Sequence, residues 1–147
     1  PLRMPQPSRL PDVNKKSYNI QPKETYKSRD YVLLYESEEE VRNIHINISI
    51  FDLINLDPGG VVVTATGNDS DFVSRYFTPQ STILEDPVTG SAYCSLIPFW
   101  ASRLGKDTLF SRQLSERGGQ LYCENKNERV IVAGKAKTYS TGHLWIE

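Results

Sequence analysis

Apolar residues along this chain gather in short bursts, and the spacing within each burst predicts the local structure. Tyr31-Val32-Leu33-Leu34-Tyr35 is an unbroken β-branched and aromatic run, which predicts a buried strand. Ser37 then opens a short helix to about Ile44. Its hydroxyl caps the helix, Glu40 reaches back to the cap amide, and Glu38, Glu39 and Glu40 form a solvated first turn that favours the helix dipole. Ile44, Ile46, Ile48 and Ile50 alternate like a strand, while Ile50, Leu53 and Ile54 fall at helical spacing. Ser49 followed by Asp52 favours the second pattern, a helix from about Ile50 that ends at the turn Asp57-Pro58-Gly59-Gly60. Val61–Thr66 and Phe72–Phe77 read as neighbouring strands across a turn at 67–71.

The second half changes texture. From Gly90 to Leu104 apolar residues surround most of the helical circumference, so the pattern predicts a helix buried on nearly all sides, bent at Pro98 and ended by Gly105. Strands are expected at 112–117, 119–124, 129–133, 135–138 and 144–146, with a polar turn at Asn125-Lys126-Asn127. Residues 1–29 hold five of the nine prolines and read as an extended linker or edge strand, leaving 30–147 as a single domain. The predicted class is α+β, antiparallel or mixed strands about one buried central helix.

Composition narrows the function classes. Seventeen basic and eighteen acidic residues give a formal charge of -1, so no global field favours nucleic acid or an anionic membrane. No apolar stretch approaches the roughly 20 residues of a bilayer span, and no signal-peptide pattern opens the chain, so a cytoplasmic protein is expected. Cys94 and Cys123 lack metal-ligand spacing and are expected as buried thiols; His45 and His143 are expected to be structural or solvent-exposed. The chain opens on Pro1 rather than Met, which reads as a processed, truncated or engineered piece of a longer protein.

The loop Glu85-Asp86-Pro87-Val88-Thr89-Gly90-Ser91-Ala92 leads into the predicted central helix, where unpaired backbone amides and the helix dipole favour an anion. Gly90 permits close approach of a ligand, Thr89 or Ser91 adds a hydroxyl, and Asp86 can accept or hand over a proton or hold a substrate amine or hydroxyl. These residue types also suit simple helix capping, so the pattern alone leaves both readings open.

That loop, with 74–79 before it and Pro98-Phe99-Trp100, Leu104-Gly105-Lys106, 113–119 and 130–134 after it, resembles the C-terminal half of the phenazine-biosynthesis (PhzF-like) proteins in order and spacing. The resemblance covers roughly residues 30–140. It implies a diaminopimelate epimerase-like fold of two similar halves, each a strongly curved sheet wrapped around a central helix, with the active site in the cleft between the two helix N-termini. It implies Asp86 and Ser91 as active-site residues, Thr89 and Gly90 in the amide-lined pocket, and Arg117, Gly118 and Gly119 as an R-G-G segment near the cleft. Those glycines equally suit a bulge beside a solvated arginine. Position 93 is Tyr where many members have His.

The implied reaction is proton transfer without a cofactor or metal, isomerising or epimerising a small carboxylated substrate. The main acid/base glutamate and a G-H-A-T-like loop belong to the other half, and no G-H-A-T string occurs here. The chain is therefore expected to be incomplete alone, pairing with the missing N-terminal half or with a second copy as a homodimer, with exchange of a terminal strand such as 144–147. The alternative is a non-catalytic small-molecule binding or structural domain.

Overall fold

The computed structural model describes residues 4–56 and 59–146. Its strands are β1 (Gln6–Pro7), β2 (Glu24–Lys27), β3 (Tyr31–Leu34), β4 (Val61–Thr66), β5 (Phe72–Phe77), β6 (Glu85–Asp86), β7 (Thr108–Gln113), β8 (Gly119–Lys126) and β9 (Arg129–Ala133). Its helices are α1 (Asp12–Lys16), α2 (Glu38–Arg42), α3 (Ile48–Phe51) and α4 (Tyr93–Leu104), the last preceded by a 3-10 turn at Gly90–Ala92. The strands among the described residues form one mixed sheet ordered β1-β2-β3-β4-β5-β7-β8-β9, with β6 paired to β5 off that path.

Two parallel pairs organise the layers. β3 runs parallel to β4 and β5 parallel to β7, and a parallel pair cannot be closed by a hairpin, so each needs a crossover. The first crossover carries α2 and α3, the second β6 and α4, and the two cover opposite faces. Val32, Leu34, Val62, Phe72 and Tyr76 pack with Tyr93, Leu96, Ile97 and Trp100 of α4. Tyr31, Leu33, Val61, Val63, Val73 and Phe77 pack with Val41, Ile44 and Phe51 on the other side. Side chains alternate between faces along a strand, so a strand covered on both sides needs apolar residues at every position; hence the unbroken Tyr31–Leu34 and Val61–Val63 runs.

Residues 4–29, expected as extended structure or an edge strand, place β1 at the sheet edge, then add α1 and β2, the latter antiparallel to β3. Leu10 and Tyr18 are buried.

Several expected boundaries move. The Ser37 hydroxyl accepts from the Glu40 amide as predicted, but the Glu40 carboxylate reaches the Glu36 amide at 2.9 Å and the helix stops at Arg42, short of Ile44. Glu38 is not solvated: it is 6% exposed, accepting from Arg42 and from the Asn68 amide. The next helix is capped by Asn47 rather than Ser49, because the Asn47 carbonyl takes both the Ile50 and Phe51 amides. Asp57 and Pro58 of the predicted turn lie outside the described residues.

The strand expected at 112–117 starts at Thr108 and ends at Gln113. Alternation of Leu109, Ser111 and Gln113 toward the core, with Thr108, Phe110 and Arg112 less buried, fixes that register against β8. The β8–β9 turn falls at Asn127-Glu128, where Asn127 takes the positive φ of 59° that a two-residue hairpin needs, displacing the expected 125–127 turn. The strands expected at 135–138 and 144–146 do not form, since they find no pairing partner beyond β9, and Leu144, Trp145 and Ile146 are exposed. No helix among the described residues is long and apolar enough to cross a membrane.

Helix α4 runs through Pro98 and ends at Gly105, which takes the left-handed φ of 65°. It is buried along Tyr93, Ser95–Ile97 and Phe99–Ala101 but open along Cys94 and Ser102–Leu104, so the expectation of burial on nearly all sides is corrected. The sheet covers one side of the helix and leaves the other. Cys94 is accordingly exposed rather than a buried thiol, while Cys123 is buried and its thiol is pushed up to about 12 by burial and then by Asp71.

Candidate active site

The loop before α4 is held from three sides. The two-residue strand β6 pairs antiparallel with β5, setting Asp86 opposite Tyr76 and Glu85 opposite Phe77. Because side chains alternate, Glu85 goes to the α2 face and Asp86 to the α4 face. On the α2 face Arg75 forms a two-pronged ion pair with Glu85, at 2.8 and 2.9 Å. Its remaining donors go to the carbonyls of Val41, Arg42 and Ile44, where a guanidinium suits the free acceptors at a helix end.

Gln113 at the end of β7 is 2% exposed and clamps the loop from inside. Its amide nitrogen donates to the Asp86 carbonyl at 2.7 Å, and its amide oxygen accepts from the Thr89 N–H at 3.0 Å. A primary amide offers donor and acceptor on one rigid plane, so a single side chain spans the three-residue gap. The Asp86 carboxylate accepts from the Val88 amide at 3.2 Å, turning the chain toward the helix.

The third hold is the 114–119 segment. Ser115 donates its hydroxyl to the Pro87 carbonyl at 2.7 Å and accepts from the Gly118 amide. Gly118 sits at φ 71°, the left-handed region that favours glycine. Gly119 packs so closely that a Cβ there would come within 2.6 Å of the Val88 side chain. Arg117 is exposed and lines a hollow of about 450 Å³ with Glu85, Pro87, Ser115 and Glu116.

At the helix start Gly90 and Ser91 are exposed, and nothing stands within 4 Å of the position a Gly90 Cβ would take. Thr89 is buried at 6% exposure, and its hydroxyl has no hydrogen-bond partner among the described residues. Asp86, Thr89, Gly90 and Ser91 thus share one loop at the mouth of α4. Arg117, Gly118 and Gly119 lie behind that loop, on the side of Glu85 and Val88.

Sequence reasoning gave no role to Arg29, Asp30, Tyr76 and Gln113. Asp30 is 2% exposed; its carboxylate accepts from the Gly60 amide at 2.9 Å and the Tyr76 hydroxyl at 3.0 Å, and ion-pairs with Arg29 at 3.3 Å. Arg29 in turn donates to the Ser91 hydroxyl at 3.2 Å. Burial, then the Asp30 carboxylate, pushes the Tyr76 phenol up to about 12. The available signal was a lone Asp placed against a fully apolar run, where a charge must find partners.

Tyr93 is fully buried, its hydroxyl shared with Ser74 at 3.2 Å and Ser111 at 2.8 Å, and burial raises it to about 12. At neutral pH it is a buried, protonated phenol. His45 is exposed and bonded to the Asn43 carbonyl, and His143 is exposed.

With this geometry in view, known proteins place the chain. The phenazine biosynthesis-like protein family matches it over residues 8–142. An uncharacterized isomerase of Pseudomonas aeruginosa is 49% identical over 113 residues, covering 77% of this chain and 42% of its own length. A second from the same organism is 40% identical over 144 residues, covering 98% and 55%. The crystal structure of a PhzF-family phenazine biosynthesis protein from Enterococcus faecalis superposes with a TM-score of 0.88 at 39% identity, over 99% of this chain and 56% of that one. The chain thus spans about half the length of the relatives it matches. Matched from Ser8 to Gly142, and superposed over 99% of its length on a solved relative, the chain belongs to the phenazine biosynthesis-like (PhzC-PhzF) family.

Proposed function

We propose that this chain supplies one wall of the active site of an isomerase or epimerase that moves a proton on a small carboxylated metabolite. Asp86 orients the substrate or handles its proton, and the Gly90 and Ser91 amides with the Thr89 and Ser91 hydroxyls hold its carboxylate. The carrying observation is the Thr89 hydroxyl, buried without a partner among the described residues at the residue that precedes the 3-10 turn before α4, on the same loop as Asp86. An unpaired buried hydroxyl costs on the order of 1–3 kcal/mol, and a ligand oxygen would relieve it. The names of the P. aeruginosa relatives support the isomerase class.

The finer shape that goes with this reading is a strongly curved sheet about α4, facing a sibling half of similar build. The site then lies between two helix starts, Arg117, Gly118 and Gly119 border it, and the sibling contributes the principal acid/base carboxylate. The chemistry is routed through side chains alone, without a cofactor, and suits a cytoplasmic enzyme.

The test is exchange of the substrate Cα proton with D2O, followed by NMR on a small amino or hydroxy acid, in the protein spanning the full length of the family. Asp86→Asn keeps the oxygen that accepts from the Val88 amide and is expected to slow exchange about 100-fold. Binding that survives while exchange is absent even in the unmutated protein would mark a binding module instead.

A second copy is the partner expected when the sibling is missing. Leu144, Trp145 and Ile146 are 86, 90 and 87% exposed, on a segment that follows the unpaired edge of β9. Sedimentation velocity of the 147-residue chain should show a two-fold dimer that dissociates when 144–147 is deleted. A strictly monomeric species at high concentration counts against it.

A further inference from the structure

The guanidinium of Arg29 stands at the mouth of α4 with part of its bonding capacity unspent. Arg29 Nε and Nη2 bond the Asp30 carboxylate, each at 3.3 Å, and Nη2 also reaches the Ser91 hydroxyl at 3.2 Å. A guanidinium carries five N–H donors; three are engaged in these bonds, and the Tyr76 hydroxyl also interacts with the group, which leaves part of the Nη1 edge for a ligand. The side chain is 47% exposed, so this edge is open to a ligand.

Its position is not a matter of chance contact. Asp30 is pinned by the Gly60 amide and the Tyr76 hydroxyl, and Tyr76 sits opposite Asp86 across the β5–β6 pair. One strand therefore sets both the Asp86 backbone and the anchor of Arg29. The bond to Ser91 spans 62 residues of chain and ties the β2–β3 connection to the 3-10 turn that precedes α4.

We infer that Arg29 is the specificity-determining residue for the substrate's negative charge, closing a carboxylate between its open Nη1 edge and the helix-start amides. The inference rests on the cradle proposed above and names its selectivity: ligands carrying a carboxylate, not the neutral amide or ester of the same shape. Arg differs from Lys at such a position because one planar group stays forked on Asp30 while a further N–H meets the ligand. No residue on the loop itself supplies a positive charge, so without Arg29 the cradle has only amide dipoles and hydroxyls.

The experiment uses the whole 147-residue chain, labelled with 15N and titrated with benzoate and, separately, benzamide. The amides of Gly90, Ser91 and Ala92 report binding at the cradle. The wild type is expected to prefer benzoate by at least about tenfold. Arg29→Gln should lose that preference while its spectrum away from the site stays folded, and Arg29→Lys should recover only part of it. A merely structural Arg29 would leave the benzoate-to-benzamide ratio unchanged, and that result overturns the inference while leaving the cradle standing. If benzoate fails to move the 90–92 amides even in the wild type, the cradle reading falls and the role of Arg29 with it.

Discussion

Asp30→Ala is expected to lower stability by about 3–5 kcal/mol, because two buried donors lose their acceptor at once and each costs roughly 1–3 kcal/mol. The donors are the Gly60 amide and the Tyr76 hydroxyl, at 2.9 and 3.0 Å from the same carboxylate oxygen. Water cannot readily replace that oxygen in an environment where Asp30 is 2% exposed. Gly60 has little room to adjust, since a Cβ there would lie 2.5 Å from the Tyr76 ring. Arg29 contributes less to the loss, because its half-exposed side chain can turn to solvent. Asp30→Asn retains an acceptor oxygen and should recover about half of the loss. Urea unfolding measures both, and an Asp30→Ala midpoint equal to the wild type would refute the argument. The Tyr76 phenol supplies a second reading, for it titrates at about 12 through burial and then the Asp30 charge. Ultraviolet titration of the alanine variant should show it lowered.

Trp100→Ala should cost a similar amount, about 3–5 kcal/mol, for a different reason. Trp100 is 3% exposed and stacks on Phe72 of β5 with ring planes 9° apart, while Phe99 meets it edge-on at 5.6 Å. Truncation opens a cavity between α4 and the sheet that neighbouring rings cannot collapse to fill. The indole N–H also donates to the Thr64 hydroxyl at 3.0 Å, which in turn donates to the Val73 carbonyl at 2.7 Å. Trp100→Phe keeps most of the ring contact and loses the N–H bond, so it should cost only about 1–2 kcal/mol. Thermal unfolding that ranked phenylalanine as damaging as alanine would mean that the hydrogen bond, not the packing, holds this layer.

How much of this was legible in the sequence depends on the range of the forces involved. β3, β4 and β5 were readable because burial on both faces writes itself into consecutive apolar residues. The Asp86–Ser91 loop was readable because helix starts draw on a small set of residue types, and because the E-D-P-V-T-G-S-A string is specific. Arg29 read as the end of a linker and Asp30 as the start of a strand segment, and their link stayed hidden, since their partners stand 30, 46 and 62 residues away and leave no local period. Gln113 was visible as part of a motif, but no spacing rule says that its amide would bridge Asp86 and Thr89 from another strand. The last strands were over-read: an apolar triplet such as Leu144-Trp145-Ile146 resembles a strand, yet a strand exists only once it has a neighbour to pair with.

The clamp by Gln113 also dictates an order of assembly. β7 lies after α4 in the chain and must dock beside β5 before its terminal amide can meet the Asp86 carbonyl and the Thr89 N–H. Closing that long crossover is entropically slow, so the Asp86–Ser91 loop is among the last parts to become rigid as the polypeptide folds. A nascent chain released before residue 113 would present Asp86 and the mouth of α4 untethered, with the layers around Trp100 only half built.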